Sequence, residues 1–179
     1  MVFGYSPLVP ASGLFHSNGT KAVANIAGTP VAPYRVPMLA TVFLAAAAIP
    51  AGKPFVCTPT RVWDGDGPVW CREGPRLRLA GIAAREHDGT CRSNQPCPKA
   101  SANGARDALV RLLGKPVGRS RQGHVLVSGP TLRCVSNGGA GRGRTGAWCV
   151  SPTRGDVSCA MVATGTVLRW QRYWRRHQC

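Results

Sequence analysis

The sequence predicts a mainly β (α+β) fold stapled by disulfide bonds. Three observations lead to this prediction. After residue 53, short segments that alternate β-branched or aromatic residues with polar ones recur between turns rich in Asp, Gly and Pro. Only two segments carry apolar residues at helical spacing. All eight cysteines lie between Cys57 and Cys179, after an apolar segment of the kind that directs export.

The segment before residue 53 is predicted to precede the folded domain. Residues 1–37 contain no acidic residue and show no sustained periodicity, which indicates a disordered extension or a mis-assigned start. Residues 38–52 form an apolar run of signal-peptide length followed by small residues. The alternative is a buried or peripheral apolar segment. The run is too short to span a bilayer comfortably as a helix, so we interpret it as an export signal. Together with the cysteines, this signal predicts a periplasmic or secreted protein with its domain at 53–179.

The first half of the domain predicts three strands. Residues 55–63 alternate as a strand does, and Asp-Gly-Asp-Gly-Pro at 64–68 is a turn because Asp and Gly tolerate left-handed backbone angles. Residues 69–71 continue as a short second strand. Residues 75–82 form a third strand with arginines on one face and leucines on the other, and a loop follows to residue 98.

The second half predicts two helices and further strands. Residues 98–113 have a helical apolar stripe that Gly114 ends, and Asp156 is a predicted N-cap for a helix over 157–164 with Gly165 as its C′ residue. Strands are predicted at 124–128, 131–135 and 146–151, with a Gly/Arg turn at 137–145. Short antiparallel strands with a helix after the third strand fit an OB-type five-stranded barrel with two to three helices, an architecture often used to bind nucleic acids.

The cysteine spacing predicts four local disulfides. An even count after an export signal favours disulfides over a zinc site, since the sequence contains no Cys-x2-Cys pair. Connectivity is open in principle, but closeness along the chain favours sequential pairs. These are Cys57–Cys71, Cys91–Cys97, Cys134–Cys149 and Cys159–Cys179.

The charge balance indicates an anionic partner. The chain has 23 basic and 7 acidic residues, a net charge of +16, and removal of the first 50 residues leaves 21 basic residues and a net charge of +14. Nucleic acid or an anionic membrane surface would suit this excess. The scarcity of carboxylates excludes an EF-hand, and neither a P-loop nor a Gly-x-Ser-x-Gly elbow occurs.

Three short motifs occur in an order that is more specific than any one of them. They are Thr-Arg-Val-Trp-Asp-Gly-Asp-Gly at 60–67, Arg-Leu-Arg-Leu-Ala-Gly-Ile-Ala-Ala-Arg-Glu at 76–86 and Gly-Arg-Thr-Gly-Ala-Trp at 143–148. Together with the segments 104–114 and 156–165, this order resembles the staphylococcal (thermo)nuclease-like family over about residues 55–174. Each motif alone is common, so the ordered set carries the resemblance.

The resemblance implies Ca²⁺-dependent cleavage of phosphodiester bonds in DNA and RNA. Asp66 matches the carboxylate that holds Ca²⁺, Arg78 and Arg144 match the arginines that grip the phosphate, and Glu86 matches the general base. The chemistry is coherent, because planar guanidinium groups suit developing phosphoryl charge and a carboxylate can deprotonate water. The expected partner is single-stranded DNA or RNA, bound by a monomer.

Departures from the family pattern concern the metal site. Ala83 stands where a second metal-binding aspartate is expected, Arg85 replaces a proline, and Gly67 replaces a threonine. Loss of one carboxylate weakens a Ca²⁺ site, since affinity depends on ligand charge. Asp88 is a candidate replacement, on its proximity to Glu86.

Each candidate residue also has a simpler interpretation. Asp64 and Asp66 can be turn formers, and the arginines at 76, 78, 142 and 144 can be solvated charges in a basic protein. Glu86 and His87 can be exposed loop residues. The tail at 169–176 interleaves Arg with Trp and Tyr, which suits base stacking or simple packing on the barrel.

Three functions therefore stand side by side. The first is an exported nuclease, possessing a base and two phosphate arginines but impaired by Ala83. The second is a catalytically inactive nucleic-acid-binding OB-type module of the periplasm. The third is a cationic structural protein of the cell envelope.

Overall fold

The computed structural model describes residues 47–179, so the predictions for 1–37 and for most of 38–52 lie outside the described residues. The last part of the apolar segment is bound to the sheet. The Ile49 N–H donates to Thr145 Oγ1 (3.0 Å), the Ser136 hydroxyl donates to the Ile49 carbonyl (2.8 Å), and the Gly52 N–H donates to the Ser136 carbonyl (2.7 Å).

Eleven strands and three helices form within residues 47–179. The strands are β1 (Pro54–Cys57), β2 (Pro59–Val62), β3 (Val69–Cys71), β4 (Arg76–Leu79), β5 (Ile82–Ala83), β6 (Lys115–Arg119), β7 (Val125–Ser128), β8 (Leu132–Gly139), β9 (Arg144–Ser151), β10 (Gly155–Asp156) and β11 (Leu168–Arg169). The helices are α1 (Ala102–Leu113), α2 (Val157–Ala163) and α3 (Gln171–Trp174).

Nine strands form one sheet that curls into a half-barrel. Their order is β1-β8-β9-β4-β3-β2-β7-β6, with β10 paired to β9. Neighbours are antiparallel except β4 and β9, which run parallel with Arg76 opposite Arg144 and Arg78 opposite Gly146. β5 and β11 form a separate two-stranded sheet. The prediction of a mainly β fold with helices and disulfides is confirmed, but the sheet has nine strands where a five-stranded barrel was predicted.

Two predicted strands are each broken in two. The strand predicted at 55–63 is interrupted at Thr58, whose N–H donates to the Glu73 carboxylate (2.8 Å) instead of a neighbouring strand. The strand predicted at 75–82 ends at Leu79, because Gly81 adopts a left-handed conformation (φ 71°). A Cβ at Gly81 would lie 2.3 Å from the Trp148 ring, so glycine is required there.

Other predicted boundaries were wrong in identifiable ways. The first helix begins at Ala102 instead of residue 98, because the Ser101 hydroxyl caps it by accepting the Gly104 N–H (3.1 Å). Most of the turn predicted at 137–145 is strand, since β8 extends to Gly139 and β9 starts at Arg144. β6 was not predicted, and its five residues are all exposed. The Asp156 N-cap and the left-handed Gly165 are confirmed.

The core lies between the curled sheet and α1, which also contacts α2. The predicted apolar stripe of α1 faces it: Ala105, Ala108, Leu109 and Leu113 are buried. They pack against aliphatic side chains of the central strands. This arrangement fixes the turn between β2 and β3 against α1, where the candidate site begins.

All eight cysteines are paired, and the four sequential pairings are confirmed. Cys57–Cys71 joins β1 to β3, and Cys134–Cys149 links directly opposed residues of β8 and β9. Four disulfides in a domain of this size indicate an oxidising compartment. None of the helices in the described part of the chain is long and apolar enough to cross a bilayer.

Candidate phosphate-binding site

The turn after β2 carries two buried acids toward α1. Asp64 and Asp66 are 6% and 2% exposed, and the Asp66 N–H donates to Asp64 Oδ1 (3.2 Å). Gly65 lets this turn approach the helix, because a Cβ there would lie 2.4 Å from the Ala105 methyl group. The Asp-Gly-Asp sequence is thus more than a solvated turn, since both carboxyl groups are held in the interior.

Asp66, which is buried, and Arg78, which is half-buried, form a two-pronged ion pair. Arg78 Nη1 donates to Asp66 Oδ1 and Arg78 Nη2 donates to Asp66 Oδ2, both at 2.8 Å. Asp66 Oδ2 also accepts the Ala84 N–H (3.1 Å). The two residues predicted to bind separate partners, a cation and a phosphate, instead bind each other in this structure.

Burial controls the protonation of the two aspartates. It raises the pKa of Asp64 to about 8, with a further rise from the neighbouring charge of Asp66. Burial also raises the pKa of Asp66, whereas the Arg78 guanidinium and the Ala84 N–H lower it. At neutral pH the raised pKa of Asp64 favours its protonated form, whereas the two-pronged contact with Arg78 favours the charged form of Asp66.

Glu86 is paired with an arginine that the sequence did not single out. Arg92 Nε lies 2.7 Å from Glu86 Oε1, and Arg92 Nη2 donates to Oε2 (2.9 Å). The Cys91–Cys97 disulfide closes the loop that carries Arg92. In the sequence, Arg92 is marked by its position next to Cys91. Its contact with Glu86 could not be predicted without knowing the path of the loop.

Arg144 opens β9 at the other side of the site. Its Nε donates to the Gly141 carbonyl (3.2 Å) and its Nη2 to the Ala140 carbonyl (2.9 Å), which ties the β8–β9 turn to the side chain. Burial lowers the pKa of Arg144, and the charges of Arg78 and Arg92 lower it further. Arg144 thus completes a group of three nearby cations, here called the arginine cluster: Arg78, Arg92 and Arg144.

Two clefts lie next to this cluster and share Arg92 and Arg144 in their walls. The first cleft, of about 360 Å³, is further lined by Arg78, the β8–β9 turn and the tail residues Trp170 and Tyr173. The second cleft, of about 300 Å³, is lined by Asp64 and Glu86, by aromatic residues and by further arginines. The predicted Arg78, Glu86 and Arg144 are therefore brought to one place, and Asp66 lies beneath them.

The residues present do not fit the Ca²⁺ that the family resemblance implies. Both Asp66 oxygens accept from Arg78, and Ala83 is fully buried with no oxygen to offer. Asp88 is exposed and accepts the N–H (2.9 Å) and hydroxyl (2.6 Å) of Thr90 within its own turn. A hard cation would need an oxygen cage that this arrangement does not provide.

A different trio lies near the carboxyl terminus. Among residues 47–179, Asp156, Cys159 and His177 are the one group of three whose possible ligand atoms all lie within 4.8 Å. The sulfur of Cys159 is bonded to Cys179, so it offers no thiolate. His177 Nε2 lies 3.1 Å from Asp156 Oδ2, which makes this cluster a clasp for the tail.

The tail both packs and reaches the site. Trp174 is buried, its Nε1 donates to the His177 carbonyl (2.8 Å), and the Cys159–Cys179 disulfide ties the end down. Trp170 meanwhile lies 6.0 Å from the Arg78 guanidinium, measured to its ring centroid. The tail therefore packs on the domain, as one of its two interpretations predicts, and also lines the first cleft.

No family model, curated protein or solved structure matches this chain.

Proposed function

We propose that the protein is an exported, staphylococcal-nuclease-like OB domain that binds the phosphate backbone of single-stranded nucleic acid at the arginine cluster. The observation that carries the proposal is the placement of Arg92 and Arg144 in the walls of both clefts, with Arg78 beside them. The four disulfides support a site of action in an oxidising compartment.

The local charge balance supports anion binding. Asp66 neutralises Arg78 and Glu86 neutralises Arg92, while Arg144 binds only carbonyl oxygens among the described residues. With Asp64 protonated, Arg144 is the one guanidinium of the arginine cluster that has no carboxylate partner among the described residues. Burial lowers the pKa of Arg144 and so disfavours its charged state. A phosphodiester anion would compensate the charge of Arg144, and guanidinium groups bind its oxygens in a planar, two-pronged geometry.

Binding tests this proposal through its salt dependence. A fluorescent single-stranded oligonucleotide is titrated with the oxidised protein in EDTA over a range of NaCl concentrations. Each phosphate contact contributes about 0.7 to the slope of log K against log salt. Arg144→Lys should weaken binding by removing the planar contact, and Arg144→Met should reduce the slope by roughly 0.7.

The exposed Arg154 provides a matched control, since it does not line either cleft. Arg154→Met should change affinity much less than the cluster variants do. An equal loss for Arg154→Met would mean that diffuse positive charge binds the strand. Absence of binding at low salt by the folded protein would refute the proposal.

A second candidate, phosphodiester hydrolysis, is favoured by the position of Glu86. Its carboxylate lies in the wall of the second cleft, and Arg92 links it to the same cluster. A carboxylate next to a bound phosphate is placed to accept a proton from water. Cleavage is tested with Ca²⁺, with Mg²⁺ and with EDTA, comparing the wild type with Glu86→Gln. Cleavage lost only in Glu86→Gln would support it, whereas an intact strand in all conditions would leave the binding function alone.

A further inference from the structure

We propose that the second cleft binds a nucleobase next to the phosphate held at Arg144, so that the ligand is single-stranded nucleic acid at least two nucleotides long. This inference rests on the proposed binding function and adds a base-binding subsite to it. The argument starts from three aromatic side chains that the sheet brings together.

Trp63, Trp70 and His124 lie at the same end of three adjacent strands. Trp63 follows β2, Trp70 is in β3, and His124 precedes β7, while β2 pairs with both of the others. The His124 ring centroid lies 4.9 Å from that of Trp63 and 4.5 Å from that of Trp70. All three side chains are half-buried and line the second cleft, so their apolar surface forms its floor.

His124 is held in a fixed, uncharged state within this floor. The Ser120 hydroxyl hydrogen-bonds its Nδ1 (2.9 Å) and accepts its backbone N–H (3.2 Å). Burial, together with the positive charge of Arg61, lowers the pKa of His124 below its ordinary value. A neutral imidazole adds flat aromatic surface without adding charge, which suits the face of a base.

The exposed face of Trp63 carries a planar group already. The imidazole of His87 stacks on the indole with ring centroids 4.5 Å apart and planes 21° apart, and His87 itself is exposed on its loop. Near-parallel stacking on an aromatic side chain is how proteins hold unpaired bases. A base entering the second cleft would displace this exposed imidazole from the indole.

The rim of the cleft has the charge that a nucleotide needs. Arg76, Arg92, Arg142 and Arg144 line it, and Arg76 Nη2 is oriented by the Arg142 carbonyl (2.7 Å). Arg92 and Arg144 also line the first cleft. A nucleic-acid strand that runs from one cleft to the other would therefore pass over these two arginines. Bases within a duplex are paired and stacked, so only a single strand can place one on this floor.

The test compares two strands of equal length and charge. One is an oligothymidylate, and the other is an abasic strand with the same deoxyribose-phosphate backbone. The wild type should bind the oligothymidylate more tightly. Trp63→Leu should weaken its binding about 5- to 150-fold, as expected for loss of one stacked base, and should leave abasic-strand binding unchanged. Phe55→Leu, an aromatic replacement on the edge strand β1, is the matched control and should change neither affinity.

Photochemistry provides a second readout that requires no variant. A strand carrying 5-iodouracil, irradiated on the wild-type protein in EDTA, should crosslink to the peptide containing Trp63 and Trp70. Equal affinity of the wild type for both strands, or crosslinks confined to the tail, would overturn the base subsite. Failure of the abasic strand to bind at low salt would instead refute the arginine cluster as a phosphate site.

Discussion

The ion pair between the buried Asp66 carboxylate and Arg78 allows a quantitative prediction of stability. Arg78→Met removes the guanidinium and leaves the Asp66 carboxylate, 2% exposed, with the Ala84 N–H as its remaining backbone donor among the described contacts. Removing one partner of a buried ion pair typically costs about 3–5 kcal/mol. For a domain of this length, roughly 4 °C per kcal/mol gives a fall in Tm of about 12–20 °C.

The assay is urea unfolding with the disulfides intact, at pH 7, for both single variants and the double variant. Asp66→Asn combined with Arg78→Met removes both charges of the pair and keeps an acceptor for the Ala84 N–H. We expect the double variant to lie within about 1 kcal/mol of the wild type, because neutral replacement of a buried pair is often tolerated. The coupling energy between the two sites should then exceed about 2 kcal/mol.

The pH dependence supplies the decisive check. Burial raises the pKa of Asp66 above its unfolded value, so its contribution to stability is greatest in acid and is lost as pH rises through the folded pKa. Without the Arg78 guanidinium, which lowers the pKa of Asp66, the loss of stability with rising pH is larger. The deficit of Arg78→Met should therefore shrink as pH falls toward 4. A deficit below about 1 kcal/mol at pH 7, or one that does not depend on pH, would refute this account of the pair.

Three further predictions concern neighbouring features. Because the pKa of Asp64 is raised to about 8, unfolding free energy should fall by up to roughly 1.4 kcal/mol per pH unit between pH 4 and 8, and Asp64→Asn should flatten that slope in urea titrations. Gly65→Ala should lower Tm and weaken strand binding together, since its methyl group would overlap Ala105; an unchanged melting curve would contradict the close packing. Replacing Cys134 and Cys149 by Ala should cost about 3 kcal/mol in unfolding free energy, because the bridge closes a 15-residue separation, and a loss under 1 kcal/mol would argue against that constraint.

Local features were predictable from the sequence, and contacts across the fold were not. The disulfide pairing was predicted correctly because the partner cysteines are separated by 6 to 20 residues, a distance that a hairpin or short loop can close. Asp66 and Arg78 were both singled out, but their mutual pairing depends on how the β2–β3 turn packs beside β4. β6 was missed because Lys-Pro-Val-Gly-Arg has no alternation and lies fully exposed on an edge.

The second cleft illustrates the same limit. Trp63 and Trp70 are close in sequence, but His124 joins them only because β7 pairs with β2. The interpretation of His87 as a simple exposed loop residue was incomplete, since its ring lies flat on Trp63. Stacking of this kind leaves no periodic pattern in a sequence, so it could not be inferred from spacing.

The short sheet of β5 and β11 constrains how the site could change. Leu168 pairs with Ala83 and Arg169 with Ile82, so the tail pairs with the position where the resemblance in sequence had suggested an acid. Ala83→Asp would place a carboxylate in a fully buried position beneath a segment that Cys159–Cys179 fastens. The single substitution Ala83→Asp is therefore not expected to create a metal site. The pairing of the tail with β5 would have to be weakened first, by design or in evolution, before a carboxylate at residue 83 could be accommodated.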